Sequence, residues 1–346
     1  MNPYSINAAA GPLPKPAPRA ALRSARRAVR MLGAAMASAC MWLALPALAQ
    51  TPLKIITTDQ PGGGMDSLIR PMAERLGREL GRPVIVENKP GGRSQIAAQA
   101  VLQSPADGNT VFISVQTNFV VNPHVYKYNY DPLNDFVPVT DLGRGSLLLV
   151  VNPQVPAKTV KELIEWVKTR PKGSVNYASY SIGSLSHFGG VLLNQSGGIE
   201  MLHVPYKASP DALKDLIPGT MQVMWDGPAT STQFVKAGRL RALAYMGTKR
   251  MPLLPDVPTI REAGYPEIEN DGWIGVFAAK GTPLDAISKI RDGMAKVLAA
   301  PEIKSFYGNF GFEPGGMPTA DFARLIKSDY ERWGKFIKAI GYTGEP

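Results

Sequence analysis

Three observations predict an α/β protein of two lobes. Short β-rich runs alternate with helical patterns along the chain, the signature of α/β layers. The 346 residues are enough for two sizeable cores. No repeat or low-complexity linker separates the halves, so two domains must share the chain by crossing over more than once. The natural crossings are the apolar runs Leu147–Val151 and Trp273–Ala279. The expected layout is a leader at 1–49, one lobe from 50–148 plus 275–346, and a second from 149–274. A cleft between such lobes is the usual place for a ligand.

The elements follow in order. Leu53–Thr58 reads as the first strand, and Leu68, Met72, Leu76 and Leu80 then mark one face of a helix. Pro71 predicts a shifted start or a kink in that helix. Strands are expected at Val84–Glu87 and Val111–Val115, with a short helix at Ile96–Leu102 between them. The strand Leu147–Val151 stops at Asn152-Pro153, and Thr159-Val160-Lys161-Glu162 has the spacing of a capping box. Val175–Ser179 is a strand, followed by a Ser/Gly loop and a helix from about Ser186. Ser209-Pro210-Asp211 opens another helix with a cap residue and a proline in first position. Met221–Asp226, Leu240–Met246 and Trp273–Ala279 are further strands, Met251–Pro258 is a loop, and helices at Asp285–Ala299 and Thr319–Ile340 finish the chain.

The formal charge of +10 resembles a nucleic-acid or membrane signature, but its distribution removes that reading. Lys15, Arg19, Arg23, Arg26, Arg27 and Arg30 stand in the first 49 residues without one acid, and the 32 remaining basic residues against 28 acidic ones leave an ordinary +4. The basic stretch precedes an apolar run from Met31 to Leu45 and the small residues Ala47-Leu48-Ala49, the parts of a secretory signal cleaved before Gln50. The apolar run is short for a membrane anchor. Arg26-Arg27 leaves the general and the twin-arginine export routes both open. Cys40, the one cysteine, lies inside this run, so the mature chain holds no thiol for disulfides, nucleophiles or thiolate metal sites. A periplasmic product is expected.

Enzyme motifs are scarce. The chain has no G-x-S-x-G elbow, no H-E-x-x-H and no P-loop. Gly62-x-Gly64-x-x-Ser67 imitates part of a dinucleotide fingerprint but lacks the third glycine. His124, His187 and His203 are too scattered for a local metal cluster. Ser184 and His187 are three apart at a helix start, which suits capping better than a triad. No catalysis, cofactor or metal is expected.

What remains is a set of permissive loops. Pro61-Gly62-Gly63-Gly64-Met65-Asp66 bends sharply before a helix whose N–H groups and dipole favour a small anion. Gly183-Ser184-Leu185-Ser186-His187 introduces a helix in the second lobe; its hydroxyls either cap that helix or join a second anion site. Two facing helix starts would suit a ligand with acid groups at both ends. In Gly91-Gly92-Arg93-Ser94, Arg93 reads equally as a bidentate carboxylate partner and as a solvated surface arginine. Thr117 and Asn118 either face the cleft or make a turn. Asp226 ends a strand, where it either touches ligand or braces a loop, and Trp273 is packing at the hinge or a lid.

Taken in series, these loops resemble the Bug family, the extracytoplasmic receptors of tripartite tricarboxylate transporters. The likeness runs from Leu53 to the C-terminus. It is carried by Pro61-Gly62-Gly63-x-x-Asp66, Glu87-Asn88-Lys89-Pro90-Gly91, Pro105-x-Asp107-Gly108, Asn122-Pro123 and Tyr130-Asp131-Pro132-x-x-Asp135-Phe136. Gly183-Ser184-x-x-His187, His203-Val204-Pro205-Tyr206-Lys207, Leu253-Leu254-Pro255-Asp256-Val257-Pro258-Thr259 and Glu262-Ala263-Gly264 complete it. The resemblance implies a two-lobed periplasmic-binding-protein (Venus flytrap) fold, type II-like, closing on a small carboxylate for delivery to a membrane permease. The implied receptor is a monomer with no nucleic-acid partner. In that family the loops matching Gly62–Asp66 and Gly183–His187 grip carboxyl groups. The chain departs from the pattern where Arg93 and Ser94 occupy two glycine positions, where Tyr180 replaces a small residue, where Ser181 replaces glycine, and where Ala208 replaces the glycine after Lys207. Those departures leave the ligand open: a C4–C6 di- or tricarboxylate first, with an aromatic acid or an amino acid as alternatives. A sensor feeding a membrane kinase and an extracellular hydrolase are the remaining readings.

Overall fold

The computed structural model describes residues 51–344. The expected signal, its cleavage after Ala49 and Cys40 lie outside those residues. Two mixed sheets organise the described chain. The first has six strands in the order β11-β4-β10-β3-β1-β2, formed by β1 (Leu53–Thr57), β2 (Val84–Asn88), β3 (Thr110–Val115), β4 (Phe136–Gly145), β10 (Gly272–Ala279) and β11 (Phe312–Pro314). The second has five in the order β7-β6-β8-β5-β9, from β5 (Leu148–Val151), β6 (Asn176–Ser179), β7 (Leu202–Pro205), β8 (Val223–Asp226) and β9 (Arg241–Tyr245).

Both sheets follow one plan. A central strand, β1 or β6, pairs in parallel with two neighbours. Next to these lies an antiparallel strand that enters from a crossing: β10 between β3 and β4, and β5 between β8 and β9. The chain passes from the first sheet to the second between Gly145 and Leu148, and returns between Tyr245 and Gly272.

Helices cover the sheets: α1 (Gly64–Leu80), α2 (Gln95–Leu102), α3 (Gln116–Val120), α4 (Val160–Lys168), α5 (Leu185–Gly197), α6 (Ser209–Leu216), α7 (Pro228–Lys236), α8 (Leu284–Ala299), α9 (Pro301–Asn309) and α10 (Thr319–Ile340). The apolar stripe of α1 is buried and packs against α8, and the helix continues through Pro71, which gives up one backbone bond. Thr159 caps α4 by accepting from Glu162 N at 3.1 Å. Ser209 corrects the expected cap of α6: Ala208 holds that position, and Ser209 Oγ donates to Asp226 at 2.5 Å instead. A buried carboxyl group left without donors costs more than an exposed helix start that water can reach.

The sequence pattern does not predict the ten-residue β4. Phe-Val-Pro-Val-Thr-Asp-Leu-Gly-Arg-Gly mixes proline and glycine into the run, which masks strand periodicity. Its partner β10 absorbs the irregularity through register shifts between Ile274 and Gly275 and between Val276 and Phe277. One apolar cluster joins the faces of both sheets through α10. Within it Phe119 stacks on Phe277 with ring centroids 3.7 Å apart. Trp273 is 2 % exposed and meets Phe322 edge-on at 5.2 Å, so it packs at the returning crossing.

Candidate functional site

Parallel strands deliver their following loops to one edge of a sheet, which is where ligands of open α/β sheets bind. In the first sheet β1, β2 and β3 send out the segments at 58–63, 89–94 and 116–124, the last containing the single turn α3; in the second, β6 and β8 send out those at 180–184 and 227.

The β1–α1 loop is tightly braced. Asp66 is 1 % exposed and accepts from Gly62 N, Arg70 Nε and Asn88 Nδ2, each at 2.8 Å. Burial pushes its pKa up, but the donors Arg70, Asn88 and Gly62 outweigh that and hold it below the usual carboxylate value. Gly62 sits at φ 76°, a conformation that favours glycine, and both Gly62 and Gly64 face open space. The expected opening at the helix start needs correcting. Asp59 turns back onto it, accepting from Asp66 N and Gln60 N at 2.9 Å each, with Met65 N–H as a further donor. A side chain on Gly63 would collide with this carboxylate. The helix start is therefore occupied from within, because an acid seven residues before an N–H at the end of a strand is well placed to cap it.

The β2 loop carries four successive left-handed residues: Gly91 (φ 100°), Gly92 (58°), Arg93 (51°) and Ser94 (77°). Two of them have side chains, which is strained backbone. Compensation comes from three tyrosines. The Arg93 guanidinium lies 3.9 Å from the Tyr126 ring centre, Tyr128 Oη donates to Arg93 O at 2.8 Å, and Ser94 Oγ lies 3.0 Å from Tyr130 Oη. Arg93 is thus stacked on an aromatic ring. Burial pushes the Tyr128 phenol up to about 12, against hydrogen bonding to Ser94 and Asn122.

Thr117 and Asn118 belong to α3, a single helical turn where a bare turn was one expectation. Thr117 is buried; Asn118 Nδ2 donates to Ser114 Oγ at 3.0 Å, and its Oδ1 accepts from Asn122 Nδ2 at 3.2 Å. Asn122 is one of the places where the two lobes meet. It is 2 % exposed, and a Cβ placed on Gly183 would lie 2.9 Å from its Oδ1. Gly183, at φ 75°, is the residue that permits this approach.

Across that contact, Ser184 caps α5 by accepting from His187 N at 3.3 Å and donates to Ser181 O at 2.6 Å. Its hydroxyl is committed to backbone, while His187 Nδ1 accepts from Gly183 N at 3.1 Å. His187 is buried, stacks on His203 at 4.0 Å and lies within 3.4 Å of Tyr342 Oη. Ser186 Oγ donates to Trp225 O, tying α5 to β8. Asp226 is fully buried and accepts from Ser209 Oγ and Thr230 Oγ1 at 2.5 and 2.7 Å. Those two bonds join the first turns of α6 and α7, and burial raises the Asp226 pKa against the hydroxyls.

The sites foreseen in the first lobe around Arg93, Ser94 and Asn118 thus join, through Tyr128 and Asn122, to Gly183 and His187 in the second. Gly62–Asp66 is tied instead to Asp59, Arg70 and Asn88. Asp59, Asn122, Tyr126 and Tyr128, which pack among these loops, are not among the expected site residues, although Asn122 stands inside the Asn122-Pro123 motif. Among the described residues there is no group of three metal-binding side chains and no helix long and apolar enough to cross a membrane.

Residues 68–342 match the tripartite tricarboxylate transporter family receptor. The chain belongs to this family. Within it, the receptor is 31 % identical over 309 residues to protein BugT of Bordetella pertussis, spanning 86 % of this chain and 93 % of that one. Among solved structures it is similar to Rpa4515 of R. palustris with adipate, at 33 % identity and TM-score 0.77, covering 84 % of this chain and 98 % of that one. It is also similar to MatC of Rhodopseudomonas palustris with bound malate, at 26 % identity and TM-score 0.75, covering 83 % and 99 %. The receptor therefore has the two-lobed α/β fold of periplasmic binding proteins, as the Bug resemblance implies.

Proposed function

We propose that this receptor captures a small organic carboxylate in the periplasm, between lobes formed by 50–148 with 275–346 and by 149–274, and hands it to the permease of a tripartite tricarboxylate transporter. The observation that carries the reading is the approach of Gly183 to Asn122, which brings the loops at the strand ends of both sheets together at one place. Relatives with adipate and with malate in their structures support a carboxylate as the ligand class. Gly62–Asp66, Arg93, Ser94, Thr117, Asn118, Gly183, Ser184, Ser186 and His187 would form or support the walls, with Asp226 behind them. Binding needs no chemistry on the ligand: closure is a shift toward the state in which both lobes touch it. An export signal cleaved after Ala49 fits this location.

Calorimetric titration of the exported protein with a panel of C4–C6 acids tests the reading. Saturable binding of at least one acid, recovered chemically unchanged, is the expected result. Turnover of a bound acid, or silence across the panel, would sink it.

A further inference from the structure

The receptor reading leaves open which end of a ligand each lobe takes, and the first lobe carries an unusual feature. At the start of α1 the N–H groups of Met65 and Asp66 are already taken by the Asp59 carboxylate, whose other oxygen accepts from Gln60 N. Gly63 supplies the room for that carboxylate, since any side chain there would strike it. The local charge does not invite a second anion: Arg70 is paired with Asp66 at 2.8 Å, which leaves the charge of Asp59 unbalanced within this cluster. Burial and the neighbouring Asp66 raise the Asp59 pKa while the three backbone N–H groups resist the rise.

A second observation, in another loop, agrees. Asn122 Oδ1 is buried, faces Gly183 of the opposite lobe, and has no hydrogen-bond donor among the described residues. Because β1 and β3 are paired in parallel, the loops bearing Asp59 and Asn122 leave the same edge of the sheet. That edge therefore presents two acceptors, one charged and one unsatisfied, and a buried acceptor without a donor is costly.

We propose that Asp59 is a specificity-determining residue: its carboxylate fills the place on the first lobe where a ligand carboxylate would sit, so this lobe receives a hydrogen-bond-donating end of the ligand, an ammonium or a carboxamide. The ligand class is then a short carboxylic acid whose far end is an amine or amide. This rests on the receptor reading above and narrows it.

The test uses matched probes of two lengths on the exported protein: succinate, succinamate and 4-aminobutanoate, and adipate, adipate monoamide and 6-aminohexanoate. Calorimetry is run on the wild type, on Asp59→Asn and on Asp59→Ser; both variants keep a capping oxygen, and melting curves confirm folding. The expected result is at least tenfold tighter binding of the amine or amide than of the diacid of equal length, with the preference falling to threefold or less in the variants. A diacid preferred by the wild type, or a preference that both variants leave within threefold of wild type, overturns the role of Asp59 while leaving the receptor reading intact. Absence of binding by every probe to every protein overturns both.

Discussion

Arg93 and Ser94 show what a single backbone position demands. Both hold left-handed φ values that glycine adopts freely, so each carries strain that its side-chain contacts must offset. For Arg93 the offset is the stack on Tyr126, an interaction of about 0.5–1 kcal/mol at an exposed site. Arg93→Ala removes the stack and keeps the strain, whereas Arg93→Gly removes both. Urea unfolding should find the glycine variant more stable than the alanine variant by about 1 kcal/mol. Asp226 offers a prediction with a defined pH sign. Burial raises its folded pKa above the unfolded 3.8, so the fold favours the neutral carboxyl. Its contribution is complete below that unfolded value and is lost as pH rises through the folded one. Asp226→Asn has no charge to bury. Its melting temperature should exceed wild type at pH 8, with the gap closing toward pH 4.

At the level of elements, a buried polar network ties the two crossings to the C-terminal helix. Asp329 on α10 accepts from Gln116 Nε2 at 2.7 Å and from Trp273 Nε1 at 2.9 Å. Arg332 bridges Asp329 and Asn270, Asn270 Nδ2 donates to Gln116 Oε1 at 2.9 Å, and Ser146 Oγ donates to Asn270 O at 2.5 Å. Ser146 lies on the outgoing crossing and Asn270 on the returning one, so both strands of the hinge are held by one set of bonds. A hydrogen bond to a buried charge contributes about 1.5–3 kcal/mol. Trp273→Phe should lower stability by at least about 2 kcal/mol. Combined with Asp329→Asn in a double-mutant cycle, it should show a coupling of about 1 kcal/mol or more; additive losses would mean the tryptophan acts through packing alone. None of this was visible beforehand beyond the placing of Trp273 at the hinge, because Gln116, Asn270 and Asp329 are far apart in the chain and polar in type.

For the molecule as a whole, α10 matters as a strap. It begins on the first sheet, where Thr319 Oγ1 donates to Val139 O, and it ends on the second lobe, where Trp333 packs on Phe188 at 5.9 Å. A ligand that binds only the closed arrangement must stabilise the entire fold. At a hundred times its dissociation constant it contributes about 2.7 kcal/mol. For a chain of this size that should raise the melting temperature by about 5 °C. Thermal scans at graded ligand concentration would show the rise, and a flat profile for an acid that binds by calorimetry would mean that it also binds the unfolded chain.

Hydrophobic period and turn residues act over a few neighbouring positions, and what depends on them was legible in advance. The alternating layers, the boundaries of α10, the Thr159 cap, the two glycine-bearing loops and the likeness to Bug receptors all belong here. Strand β4 escaped because proline and glycine break its period, and only pairing with β10 and β11 makes it a strand. Within the loops, local chemistry announced an open helix start at Gly62–Asp66; the return of Asp59 onto it, like the meeting of Asn122 with Gly183, was decided by tertiary structure. Which acceptor fills a given set of N–H groups is a competition between distant parts of the chain, and it is settled only when packing fixes where each of them lies.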